Sequence, residues 1–374
     1  MRIGITINFD KNFYSNGLQQ NVVFLFNLLN EIENFNPFYL WEGQEINPKI
    51  IDKNKCIQYK YFLTDSSFKF DLIIMMGFTF GDKVITKIKE KNKEAKVVLL
   101  QCGNQYIENM TLSLFDSKTN FSPLERQNKI DQIWVLPHYQ KNISYMKTFF
   151  KTDNVITVPY IWDNFFIDLQ NKNNSDTNTK RNFYSLRNKS ISILEPNLNN
   201  SKNCILPLFI TDSYEQKFPN VLQSCNVFCG KQLANNEYFI KMILQMDIYN
   251  KRKDFLKLHN RLSFLEIIKK HGSIIISHQQ DNALNYLYLE SLYLDLPLLH
   301  NSTFIKEYGY YYPENEIEIA RDKLDFILKN HASNIESYST NNKKILNQYS
   351  LKNKVNQDNY LKIIKLLFKD KKKS

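Results

Sequence analysis

The chain has 374 residues, 43% of them hydrophobic and 14% aromatic, and a formal net charge of +11. That length and apolar content suit two packed globular domains and exclude a disordered or fibrous chain. The positive balance suits anionic headgroups or phosphorylated substrates. No nucleic-acid motif accompanies it, so a nucleic-acid partner is not expected.

Cys56, Cys102, Cys204, Cys225 and Cys229 are odd in number and lack paired spacing. They read as free thiols in a reducing compartment, with neither a disulfide framework nor a zinc site. No run approaches the ~18 apolar residues of a membrane span. MRIGITINFD reads as a strand and not as a signal peptide. A cytoplasmic protein that meets membranes only from the side is expected.

Taken in order, Arg2–Phe9 is a buried strand, Asp10–Gln20 a polar loop holding Gly17, and Asn21–Ile32 a helix with a broad apolar face. Strand, loop and helix open a doubly wound sheet, although the loop lacks G-x-G-x-x-G. Further strands are expected at Asp71–Met76, Lys96–Gln101, Gln132–Leu136 and Asn154–Val158, with a helix over Asp82–Lys91. Residues 166–189 are polar and without period, which predicts a linker or long surface loop.

A second α/β half follows. Its strands are Ser190–Leu194, Asn226–Cys229 and Phe255–Leu258, and its helices Ile205–Phe218, Asn236–Met246 and Leu262–Lys270. Then Ser273–Ser277 is an Ile-rich strand, His278–Asn282 a polar turn, and Ala283–Leu294 a helix apolar on nearly every side. Pro297 ends that unit and Leu298-Leu299 is the next strand. Asp322–Asn330 and Lys352–Phe368 are amphipathic helices, followed by the basic tail Lys369–Lys373. The last helix is expected to dock back across the N-terminal half, with contact to anionic lipid as the alternative.

Ligands of open α/β sheets bind at the carboxyl ends of the strands. In the first half those ends carry Asn16, Gly17, Asn104 and His138; in the second, Glu195, Asn197, Lys202, Lys231, His278, Gln279 and Asn282. For Glu195 and Asn197, capping of the following helix is the alternative role. Glu290 is a lone carboxylate in a greasy helix, costly to bury without a partner. Helical spacing puts Asn282, Tyr286, Glu290 and Tyr293 in one sector. Glu290 suits a pair of ribose hydroxyls. The helix N-terminus near Asp281 suits a phosphate, and Lys202 suits the same diphosphate.

Two Rossmann-like halves, a hinge after VPYIWD, and a strand–helix unit with a buried Glu before DLPLLHN resemble a GT-B glycosyltransferase. Glu290 and its sequel match the second Glu of the E-x7-E signature of family 4 retaining enzymes. The first Glu position falls on Asn282, which puts retention of configuration in doubt. NGLQQNVVFL, VPYIWD, EPN…K, SHQQDNALNYLY and PLLHNS…GYYYP, spread over nearly the whole chain, resemble a bacterial family of uncharacterised GT-B-like proteins.

The resemblance implies an α/β fold of two Rossmann-like domains facing across a cleft. An acceptor domain would span 1–165, a linker 166–189 and a nucleotide-sugar domain 190–345, with 346–374 packing back on the first. It implies transfer of a sugar from a nucleotide-sugar to a surface-glycan acceptor such as lipopolysaccharide or capsule, glycan- or lipid-linked, at the inner-membrane surface. Glu290, Asn282, Lys202, Asn197, Gln279 and Lys231 would form the donor side. Asn16, Gly17 and Asn104 would form the N-domain loop. His138 and His278 are the candidate catalytic residues. There is no D-x-D to hold a metal-bound diphosphate, so neither metal nor cofactor is expected. An epimerase or phosphorylase of the same fold, or a non-catalytic binding subunit, is the alternative.

Overall fold

The computed structural model describes residues 1–9, 13–43, 45–65, 67–115, 128–172, 189–272 and 274–369. The chain forms two compact units, Met1–Asp163 together with the segment from Tyr349 onward, and Asn164–Gln348.

The first unit holds seven strands: β1 (Arg2–Ile7), β2 (Asn36–Trp41), β3 (Cys56–Gln58), β4 (Leu72–Met75), β5 (Lys96–Gln101), β6 (Gln132–Val135) and β7 (Val155–Thr157). They form one sheet in the order β3-β2-β1-β4-β5-β6-β7, every neighbouring pair parallel. Ile3, Ile5, Leu72, Ile74, Val97 and Ile133 are fully buried, as strands covered on both faces require.

Two of these strands escaped the sequence reading. Pro37 sits inside β2, and Pro in an apolar run ordinarily argues against a strand. The three residues of β3 are only half-buried, so no apolar run marks them.

The first long helix begins at Gly17, not at Asn21. Asn16 caps it, its Oδ1 accepting from Leu18 N at 3.2 Å and Gln19 N at 3.3 Å. Gln19, Gln20 and Asn21 are buried in its first turns, and such polar residues disguise a helix start.

The C-terminal helix Lys354–Lys369 belongs to this unit. Tyr360 is buried with its edge towards Trp134, and its hydroxyl donates to Pro159 O at 3.0 Å. Ile364 and Leu367 are buried beside it. Each such side chain contributes about 1.5–3 kcal/mol of transfer free energy.

The second unit holds β8 (Ser190–Ile193), β9 (Ser224–Val227), β10 (Leu256–Leu258), β11 (Ile274–Ser277), β12 (Leu298–His300) and β13 (Tyr310–Tyr311). Their order is β10-β9-β8-β11-β12-β13, again all parallel. The two sheets thus repeat one plan. The chain winds outward one way from its first strand, then crosses back and winds outward the other way from its fourth.

The stretch expected as linker is partly helical, with a helix at Phe165–Lys172. Phe166 and Ile167 are both buried, and that anchorage is enough to order two turns in a polar context. Residues 173–188 of that stretch lie outside the described residues.

The helix after β11 is shorter than expected, Tyr286–Tyr293 instead of Ala283–Leu294. Asn285 is its cap, accepting from Leu287 N at 3.3 Å. Asn282 is therefore not on the helix and shares no helical sector with Glu290. The free N–H groups expected near Asp281 lie ahead of the helix as well.

Candidate functional site

In a sheet of this plan the crevice opens where the strand order reverses, between the first and fourth strands of the unit. In the second unit that is the carboxyl end of β8 and β11. Two residues past β8 stands Glu195, fully buried. Its Oε1 accepts from Ser277 Oγ and its Oε2 from Gln279 Nε2 at 3.2 Å. Burial pushes its carboxyl up to about 7, against the lowering effect of Ser277, the charge of Lys202, Gln279 and the His278 backbone N–H.

The loops around this carboxylate are stitched together. Asn301 grips the backbone of Gln279 from both sides, accepting from its N–H and donating to its C=O, each at 3.0 Å. Gln280 N donates to Ser201 O at 2.9 Å, and Lys202 pairs with Gln279 in an isolated antiparallel bridge. Asn282, 1% exposed, turns its amide inward and donates to Gln279 Oε1. A glutamate at 282 could not donate to that oxygen while ionised. The crevice instead draws its buried carboxylate from β8.

His278 is half-buried, and its Nδ1 lies 3.1 Å from Tyr312 Oη, which itself donates to Ser277 O at 3.3 Å. That tyrosine has one proton to give. The network therefore assigns the imidazole proton to Nδ1 and leaves Nε2 with its lone pair. Burial lowers the His278 pKa to about 4, so the ring is neutral near pH 7. A neutral imidazole with an open Nε2 is chemically equipped to accept a proton.

Glu290 sits on helix Tyr286–Tyr293, partly accessible. Its carboxyl rises to about 7, and burial is the sole cause. Among the described residues neither a cation nor a hydrogen-bond donor meets it. Tyr293, on the same helix, is occupied elsewhere, its hydroxyl donating to Asp168 Oδ1 at 2.8 Å.

The other expected site residues of this unit are Asn197 and Lys231, and their surroundings differ. Asn197 takes a positive φ of 55° and spends its amide on Glu195 O at 2.9 Å and, through Oδ1, on Cys204 N at 2.8 Å. It thereby shapes the loop that carries Lys202. Lys231 is exposed on a turn after β9, and its ammonium meets no described side chain.

In the first unit, the turn after β6 holds His138, buried, its ring 3.9 Å from that of Tyr139 and edge-on to Tyr160. Asn104 Oδ1 accepts from Ile107 N and from Asn142 Nδ2, tying the turn after β5 to the turn after β6. Asn16 and Gly17 begin the first helix. Asn16 lines a cavity of about 930 Å³ at the carboxyl ends of β1 and β4, the reversal point of this sheet, together with Asn8 and Gly77, whereas Gly17 is not among its lining residues.

Residue type alone had pointed to Lys202, His278, Gln279 and Asn282, and the structure gathers them round one crevice. It adds Ser277, whose hydroxyl lies 3.3 Å from Tyr288 Oη, and Tyr312 beside His278. It also gives Glu195, read from sequence as a strand-end residue or a helix cap, the centre. One signal was available: a carboxylate directly after an apolar strand and before Pro196 stands too far from helix Ile205–Lys217 to cap it.

Residues 3–364 match a family described as Protein of unknown function (DUF2827). The chain belongs to the DUF2827 family. No curated protein matches it. Solved structures share its fold at low identity. S. aureus TarM, solved as a mutant with Fondaparinux, alpha-GlcNAc-glycerol and UDP, is 16% identical over 80% of this chain, with a TM-score of 0.52. This chain spans only 55% of TarM.

Anabaena HepE, solved with UDP-glucose, matches 98% of this DUF2827 chain and 100% of its own at 9% identity and a TM-score of 0.55. WaaG, a glycosyltransferase involved in lipopolysaccharide biosynthesis, matches 96% and 99% at 11% identity and 0.54. The DUF2827 chain therefore has the GT-B fold, two Rossmann-like α/β domains.

Proposed function

We propose that this DUF2827 protein transfers a sugar from a nucleotide-sugar donor to a surface-glycan acceptor such as a lipopolysaccharide or capsule precursor. Glu290 carries the proposal. A partly accessible carboxylate with no partner among the described residues is costly to keep, and a vicinal diol would satisfy it with two donated hydroxyls. On this reading Glu290 takes the ribose of the donor. TarM and HepE were solved with UDP and UDP-glucose, which favours a nucleotide ligand for the shared fold.

Transfer breaks the bond between the anomeric carbon and the diphosphate oxygen through an oxocarbenium-like transition state. The leaving diphosphate gains negative charge, and Lys202, held at the crevice by its bridge to Gln279, would stabilise it. The acceptor oxygen forms the new glycosidic bond and must lose a proton, which Nε2 of neutral His278 would take. We assign no metal to the step, since the charge is met by Lys202. No helix among the described residues is long and apolar enough to cross a membrane, so lipid-linked acceptors would be met from the surface.

Calorimetry against UDP, GDP, ADP and CDP, and the corresponding nucleotide-sugars, tests the proposal. One nucleotide should bind, and Glu290→Ala should weaken it at least tenfold. Absence of binding to every nucleotide at millimolar concentration would sink it. A binding subunit without chemistry is the second reading, favoured by Asn282 standing at the first Glu position of the signature. Donor binding with neither transfer nor slow donor hydrolysis would select it.

A further inference from the structure

We infer that the cavity at the strand reversal of the first unit binds an uncharged saccharide ring and discriminates against phosphorylated and carboxylated sugars. Three observations converge. The cavity, about 930 Å³, has the volume for one or two sugar rings. Its walls are apolar and aromatic, with Phe9 and Phe13 stacked at 6.3 Å and Tyr14 beside them. Such faces match the C–H face of a pyranose.

Most polar side chains of the described lining are amides, namely Asn8, Asn16, Gln19 and Asn47. Gln19 is 4% exposed, lines the cavity, and its Oε1 has no hydrogen-bond partner among the described residues. A buried amide oxygen left unpaired is destabilising unless a ligand hydroxyl reaches it. Asn16 spends its Oδ1 on capping, and its Nδ2 bonds no described residue, so it remains as a donor. A hydroxyl can both give to Gln19 and take from Asn16, whereas a phosphate or carboxylate can only take.

Charge points the same way. The only charged side chain among the described lining residues is the carboxylate of Glu45. The helix N-terminus at this edge, which could otherwise favour an anion, already has the N–H groups of Leu18 and Gln19 occupied by Asn16. Among the described lining residues no cation brings the chain's net charge of +11 to this cavity.

Naming this saccharide the acceptor rests on the transfer proposed above; the binding itself does not. The test uses the full chain without nucleotide and saturation-transfer NMR. The probes are methyl α-glucoside and methyl N-acetylglucosaminide, set against glucose 6-phosphate and glucuronate. The neutral glycosides should bind, and the charged sugars at least tenfold more weakly. Gln19→Leu should weaken glycoside binding tenfold without lowering the thermal midpoint, because it removes an unpaired amide. Tyr14→Ala, at a half-buried position, gives a second variant with the same expected loss. Equal or stronger binding of the charged sugars, wild-type affinity in both variants, or no binding of either glycoside would overturn the inference. Nucleotide binding in the same samples, read through Glu290→Ala, shows whether the donor proposal stands or falls separately.

Discussion

The two sheets reverse their strand order at equivalent places, β1 against β4 and β8 against β11, yet the two crevices are filled differently. In the first unit the reversal leaves a cavity walled by rings and amides, with Gly77 letting the two strand ends approach. In the second the strand ends carry Glu195, Ser277, Gln279 and Asn282 in a buried polar network with Lys202 at its edge. One topology thus yields an open pocket where apolar walls meet, and a tightly ordered polar platform where a carboxylate is buried and satisfied. The platform is rigid because its donors and acceptors are paired. The pocket is receptive because Gln19 is not.

The largest expected effect is at the platform. Glu195→Ala removes the acceptor shared by Ser277 and Gln279. A loss of about 3–5 kcal/mol is expected, read by urea unfolding. A cost under about 1 kcal/mol would mean that the network does not organise the crevice.

Next is the first unit's own device. A Cβ at Gly77 would lie 2.6 Å from Ile7 Cα and 2.9 Å from both Asn8 N and Thr6 O. These are backbone atoms of β1 or its end, which cannot swing aside. Gly77→Ala should cost about 1–3 kcal/mol and distort the cavity, so saccharide binding should fall with stability. Wild-type thermal stability in this variant would show that the strand ends separate freely.

Glu290 offers a pH test with a definite sign. Its carboxyl rises from the ordinary 4.5 to about 7 on folding. Between those values the folded chain holds a proton that the unfolded chain releases, so its contribution to stability falls as pH rises from about 4.5 to 7. Glu290→Gln should therefore be more stable than the parent at pH 8, by about 1–2 kcal/mol after allowing for its partial exposure. The two should converge below pH 4.5. His278, lowered to about 4, acts in the opposite direction, its contribution being lost as pH falls from 6.5 to 4. Only the difference between parent and variant isolates Glu290.

The smallest effect is at the helix start. Asn16→Ala removes the cap and should cost about 1 kcal/mol, measured as a shift in the chemical midpoint. It should also weaken the neutral glycosides, since it deletes the Nδ2 donor.

Much of the architecture could be read from the chain alone. Arg2–Ile7, Leu72–Met75, Lys96–Gln101, Gln132–Val135, Ser190–Ile193 and Ile274–Ser277 are apolar runs of strand length, and such runs declare buried parallel strands through local composition. The carboxylate at 290 was likewise conspicuous because its neighbours are apolar. Strands hidden by Pro37 or by half-buried residues, as in β2, β3 and β13, were not legible. Their pairing comes from neighbours distant in sequence and not from their own pattern.

What sequence could not decide is which polar residues meet. Glu195 and Ser277 are 82 positions apart and touch only because β8 lies beside β11. That adjacency converts an apparent helix cap into the centre of the crevice. It also accounts for Asn282, which supplies a donor to Gln279 at the position where the family 4 signature has its first Glu. That Glu290 meets no partner among the described residues is tertiary too: residue type placed a carboxylate in an apolar helix, but only packing determines whether a cation or donor reaches it. Local pattern specifies elements, because burial period is written residue by residue. Charge compensation depends on long-range contacts, and the folded sheets alone supply those.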